Sequence, residues 1–171
     1  MARGNAEQEQ WAVQQAHPRP GSRVLEVGIG PGVGVELAAG AVGADGHVVG
    51  VDPSATMCEM ARARCAARIE AGVVEVRRGT AEDTGCADGS MDAAISVNNF
   101  MFWNRPAALA ELHRVLRPGG RLVVTVHRHV LGVPPEQLRD DMTAGGFADP
   151  ALSQHDRRFN SPAVQLVATR A

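Results

Sequence analysis

The sequence predicts an α/β fold: a doubly wound, seven-stranded sheet, mostly parallel, ending in a C-terminal antiparallel hairpin. Three observations predict it. Strand and helix signals alternate from Ser22 onward, and the strands are valine-rich runs apolar on both faces. Near the end the alternation gives way to two strand signals joined by a short turn, which can connect only antiparallel neighbours.

The polar N-terminal segment is predicted helical over 6–16. His17-Pro18-Arg19-Pro20-Gly21 then reads as a turn-rich entry to the first strand. Strands are predicted at 22–27, 47–52, 73–78, 91–97 and 120–127, with helices at 33–41, 54–70, 106–116 and 134–145. Leu116-Arg117-Pro118-Gly119-Gly120 predicts a sharp stop between helix and strand, because proline cannot continue the helix and the glycines supply the turn. After Gly145-Gly146-Phe147, strands at 151–156 and 163–169 with a turn around Asn160-Ser161-Pro162 form the edge hairpin. No repeat or linker interrupts the 171 residues, so one domain is expected. It divides into an N-terminal segment 1–16, a core 22–127, and a helix with hairpin over 134–171.

Composition narrows the chemistry. A net charge of −2, with the arginines scattered, disfavours nucleic acid as the main partner. No apolar stretch reaches the roughly 20 residues that span a bilayer, and a soluble, cytoplasmic protein is expected. Cys58, Cys65 and Cys86 lack C-x-x-C spacing, which favours buried, reduced thiols over a disulfide framework or metal site. All 17 Lys+Arg residues are arginine and tyrosine is absent. Schiff-base catalysis, a P-loop lysine and a Tyr/Lys hydride-transfer pair are therefore excluded.

The first strand breaks into Gly28-Ile29-Gly30-Pro31-Gly32 and then a small-residue helix, the layout of a cofactor loop. Glu26, just ahead of it, suits a ligand that carries an ammonium group better than a pyrophosphate. Asp52 ends the second strand about twenty residues past the loop, the spacing for a carboxylate that accepts from both hydroxyls of a ribose. Blander readings remain open: Asp52 as an N-terminal acid of the next helix, Glu26 as a strand-end acid paired with arginine. The nicotinamide fingerprint G-x-G-x-x-G would need glycine at Val33, although Gly28, Gly30 and Gly34 form a looser variant.

Taken in order, these segments resemble the class I S-adenosylmethionine-dependent methyltransferases of the small bacterial type, whose fold is Rossmann-like. Val24-Leu25-Glu26-Val27-Gly28-Ile29-Gly30-Pro31-Gly32 resembles the first motif, and Val51-Asp52-Pro53-Ser54 with Met57 the second. Gly79-Thr80-Ala81-Glu82-Asp83 resembles the adenine-side loop, Asp92 to Asn98 the fourth strand, and Leu116 to Leu122 the turn into the fifth. The resemblance covers about 22–127 and implies S-adenosylmethionine as cofactor and S-adenosylhomocysteine as product. It implies Gly28, Ile29, Gly30 and Gly32 beneath the methionine half, Glu26 at the amino group and Asp52 at the ribose. Pro53 and Met57 would lie against adenine, with Thr80, Ala81 and Glu82 at its edge, and the carbonyls of Ser96, Val97 and Asn98 would accept from the ammonium. Thr80 departs from the common Gly-Asp-Ala pattern and brings no charge, a loss on the order of 1 kcal/mol that Glu82 can offset.

Such methyl transfer is an in-line displacement, accelerated mainly by alignment and exclusion of water, and needs a general base only when the acceptor must lose a proton. Asn99 can orient a polar acceptor, while Phe100, Phe102 and Trp103 either wall the site or pack under the next helix. His127 and His129 share a face if their strand continues, and either can act as base. His113 reads as a surface helix residue, and Trp11 either folds over the cofactor as part of a lid or packs on the body. The implied function is methylation of a small molecule, with a peptide or protein acceptor second. A nicotinamide-dependent oxidoreductase and a non-catalytic S-adenosylmethionine-binding domain are the alternatives.

Overall fold

The computed structural model describes residues 2–157 and 160–171, with side chains over 5–155 and 161–171. In chain order it contains α1 (Ala2–Ala16), β1 (Arg23–Val27), α2 (Val33–Val42), β2 (His47–Asp52), α3 (Ala55–Arg64), α4 (Ala66–Glu70) and β3 (Val74–Arg78). There follow β4 (Met91–Val97), α5 (Arg105–Val115), β5 (Leu116–His127), α6 (Pro135–Ala144), β6 (Phe147–Arg157) and β7 (Asn160–Arg170). All seven strands join one sheet in the order β3-β2-β1-β4-β5-β7-β6. The first five pair in parallel, while β7 runs antiparallel to both β5 and β6. The doubly wound sheet with its C-terminal hairpin is thus the one the sequence predicts.

Alternation along each strand divides the core between the two faces. Leu25, Val27, Val49, Val51, Leu122 and Val124 pack with Leu109 and Leu112 of α5 and Leu138 and Met142 of α6. Val24, Val48, Ile95 and Val123 face the other way, against Ala12 of α1, Val35 and Ala38 of α2 and Cys58 of α3. Glu26 shares the strand face of Val24, so β1 drives a carboxylate beneath α1 and α2. Among the described residues no helix is long and apolar enough to cross a membrane.

Several boundaries differ from expectation. The predicted helix over 54–70 breaks at Cys65, whose φ of −96° and ψ of 15° end α3 before α4 begins. The stop at Leu116 ends α5 but not the sheet. Leu116 already pairs with Met91, and the irregularity between Met91 and Ala93 absorbs the Pro-Gly-Gly residues. β5 ends at His127, as expected, but the chain then turns into a short 3-10 segment over Arg128–Val130, so the strand does not continue to His129. Strand β7 already begins at Asn160, so Asn160-Ser161-Pro162 belongs to the strand and not to the expected turn; residues 158–159 lie outside the described residues.

Candidate functional site

The parallel strands end at one edge, and the loops there collect most of the residues singled out above. Gly28, Gly30 and Gly32 take positive φ, 74°, 49° and 84°, which lets the chain double back between β1 and α2. The Gly28 N–H donates to the Val51 carbonyl at 2.8 Å and fastens the loop to the end of β2. A side chain at Gly30 would meet nothing within 4 Å, so this part of the loop faces open space. Ile29, buried, anchors the same loop in the core.

Asp52, only 7% exposed, stands beside it. Its Oδ2 accepts from the Gly30 N–H at 3.1 Å and its Oδ1 from the Ser54 N–H at 2.9 Å. The capping of α3 falls to Ser54, whose Oγ accepts from the Met57 N–H at 3.3 Å. The carboxylate therefore bridges the glycine loop and the following turn, and each oxygen keeps a further lone pair for a ligand. Pro53 is exposed and Met57 half-buried beside it. The Gly79 N–H donates to the Asp52 carbonyl at 3.3 Å, bringing the 79–83 loop alongside. There Thr80 is exposed and Ala81 buried, while Glu82 accepts from the Asn104 N–H at 2.7 Å, tying this loop to the start of α5.

Glu26 is 1% exposed, and both its oxygens lack a donor among the described residues. No arginine among the described residues meets it; its neighbour is Glu9 of α1, whose Oε2 also lacks a donor there. As carboxylates neither can donate, so a proton on one of them is what binds the pair together. Burial, reinforced by Glu9, holds Glu26 well above the usual carboxylate range, and burial pushes Glu9 from 4.5 up to about 7.

Beyond β4 the structure brings together Asn98, Asn99 and His127. Asn98, at φ 53°, receives the His127 N–H on its Oδ1 at 2.9 Å and donates from Nδ2 to Gln8 at 3.0 Å and to Asn5 at 3.3 Å. Gln8 in turn donates to Thr125 Oγ1 at 3.1 Å, and Asn5 lies 3.3 Å from His127 Nε2. Helix α1 is thus strapped across the ends of β4 and β5. Trp11 packs against the body with α1. Ser96 and Val97 are buried beneath these contacts.

Asn99 lies across the face of Gly28, where any side chain on the glycine would collide with it. The Trp103 indole N–H donates to Asn99 Oδ1 at 2.8 Å, which fixes the amide's orientation because an indole can only donate. Phe100 and Trp103 pack into the core with ring centroids 5.0 Å apart, whereas Phe102 is 78% exposed at the rim. The rings of His127 and His129 stand 5.5 Å apart, brought together by the 3-10 turn and not by strand alternation. His113 is half-buried, edge-on to Phe147, and does not belong to the open surface expected for it. Sequence reasoning missed Asn5, Gln8 and Glu9. Their signal was a polar break in the helical stripe Glu9, Ala12, Val13, Ala16.

The methyltransferase domain family matches residues 25–124. A Bacillus subtilis (strain 168) protein described as the uncharacterized methyltransferase YdaC is 30% identical over 157 residues, covering 87% of this chain and 84% of that protein. The demethylmenaquinone methyltransferase of Symbiobacterium thermophilum is 37% identical over 117 residues, 65% of this chain but 45% of the relative. The chain thus spans most of the first relative and less than half of the second. In fold it superposes on a crystal structure of a SAM-dependent methyltransferase from Aquifex aeolicus with a TM-score of 0.81 at 17% identity, covering 95% of this chain and 89% of that one.

Proposed function

The chain belongs to the S-adenosylmethionine-dependent methyltransferases, and from that premise we propose that it methylates a small molecule by in-line displacement, acting as one domain. The observation that carries the reading is the Asp52 carboxylate held against the open glycine loop through Gly30. Asp52 would take the ribose hydroxyls on its remaining lone pairs. Pro53, Met57, Thr80, Ala81 and Glu82 would line the adenine, and the Ser96 to Asn98 carbonyls would receive the ammonium group. Glu26 lies behind the loop, where it would accept from the cofactor's amino group, and the arrival of that cation would favour its ionised form.

When bound, the cofactor supplies an electrophilic methyl on a sulfonium whose positive charge disperses as the bond to sulfur breaks. The protein's part is alignment, worth up to about 7–11 kcal/mol, and exclusion of water. Asn99, its Oδ1 held by Trp103, presents Nδ2 over Gly28, where it would orient the acceptor. His127 or His129 would take the acceptor's proton, a contribution of about 10² to 10⁴. The buried, unpaired Cys58, Cys65 and Cys86 favour a reducing compartment such as the cytoplasm. Thermal denaturation with S-adenosylhomocysteine or with a nicotinamide dinucleotide tests the reading. Stabilisation by the former alone is expected, and stabilisation by the dinucleotide alone would overturn it.

A further inference from the structure

The opposite end of the sheet carries a second cavity, of about 280 Å³, lined by Arg19, Arg117, Arg121, His17 and Asp92 over a floor that includes Ala93. Arg121 pairs with Ala93 where β4 and β5 begin their regular parallel ladder, so the cavity opens at the amino ends of these strands. The glycine loop and Asp52 stand at the carboxyl ends, a separation of roughly 15 Å along the five residues of β1. This is not the cofactor edge.

Asp92 is the one acid in the lining and is already committed. It accepts from Arg117 Nε at 2.5 Å and from the Arg23 N–H at 2.7 Å. The side chains of Arg19 and Arg121 have no acidic partner among the described residues, and Arg121 Nε is wholly buried with no acceptor. Helix α1 ends at Ala16 on the rim, and its terminal carbonyls supply about half a negative charge, too little for two free guanidinium groups. Three arginines against one aspartate leave two positive charges unbalanced, which matches a dianion. The planar guanidinium groups of half-buried Arg121 and exposed Arg19 match the oxygens of a phosphoryl group in both charge and geometry. At about 30 Å³ per water molecule the cavity has room for more than a lone ion.

We propose that this cavity is a binding site for a small phosphorylated molecule, with Arg121 and Arg19 as its phosphoryl ligands. The test is thermal denaturation and calorimetric titration at constant ionic strength with inorganic phosphate, glycerol 3-phosphate and, as control, chloride. Saturable stabilisation by phosphate or the monoester is expected, weakened at least tenfold in Arg121→Gln and in Arg19→Ala, with S-adenosylhomocysteine affinity unchanged in both. Tighter binding of the monoester would identify an esterified ligand, and equal binding free phosphate. Arg19 is exposed, so its variant keeps the test valid if Arg121→Gln fails to fold. No saturable response, or equal stabilisation of wild type and both variants as salts excluded from protein surfaces give, would overturn the proposal.

Discussion

The carboxyl groups of Glu9 and Glu26 converge over the Cα of Gly34, so closely that a side chain there would collide with both. A helix from the N-terminal segment and the strand leading into the glycine loop are thereby joined by two acids at a site where no other group among the described residues donates to Glu26. Both acids are raised, so the folded protein holds protons that the unfolded chain releases above about 4.5. Stability contributed by the pair is greatest below that pH. It falls as pH rises from there, by up to about 1.4 kcal/mol per pH unit for each proton the folded state alone retains; the Glu9 share levels off near 7, where Glu9 ionises, and the Glu26 share continues until Glu26 ionises in turn.

Glu9→Gln removes one of these ionisations and gives Glu26 an amide donor. We expect its Tm to exceed that of wild type by several degrees at pH 8, and the difference to vanish near pH 4.5. Thermal denaturation at the two pH values measures this, and a variant less stable than wild type at pH 8 would show that the pair does not bear this strain.

Gln8 reaches Thr125, whose side chain is fully buried, and is itself 2% exposed. Gln8→Ala leaves the hydroxyl without that partner and should cost about 1–3 kcal/mol in denaturant unfolding. An unchanged midpoint would mean that α1 contributes nothing through this strap.

Gly32 combines φ of 84° with an approach in which an added Cβ would stand 2.9 Å from the Cα of Ala61 on α3. Gly32→Ala should therefore lose about 1–3 kcal/mol of stability and weaken S-adenosylhomocysteine binding, because the loop must open to admit the methyl group. Wild-type affinity in a folded variant would separate loop shape from binding.

The sheet was legible because its strands are unbroken valine-rich runs, and the Gly28 loop and Asp52 because their chemistry is local in sequence. What escaped was non-local. Glu9 looks like a solvated helix acid until α1 is laid over Glu26, and Asn5 and Gln8 matter only where the ends of β4 and β5 face α1. His127 and His129 were read correctly as neighbours for the wrong reason, since a strand signal does not reveal the 3-10 turn that follows it. Cys65 ends α3 in a stretch whose composition favours helix throughout, so tertiary contact overrides local propensity there.

The most direct test of the account is calorimetric titration of S-adenosylhomocysteine into wild type and Asp52→Ala. We predict saturable, one-to-one binding to the wild type and an affinity at least tenfold weaker in the variant. Equal affinities, or no binding to the folded wild type, would contradict the assignment of this edge of the sheet to the cofactor.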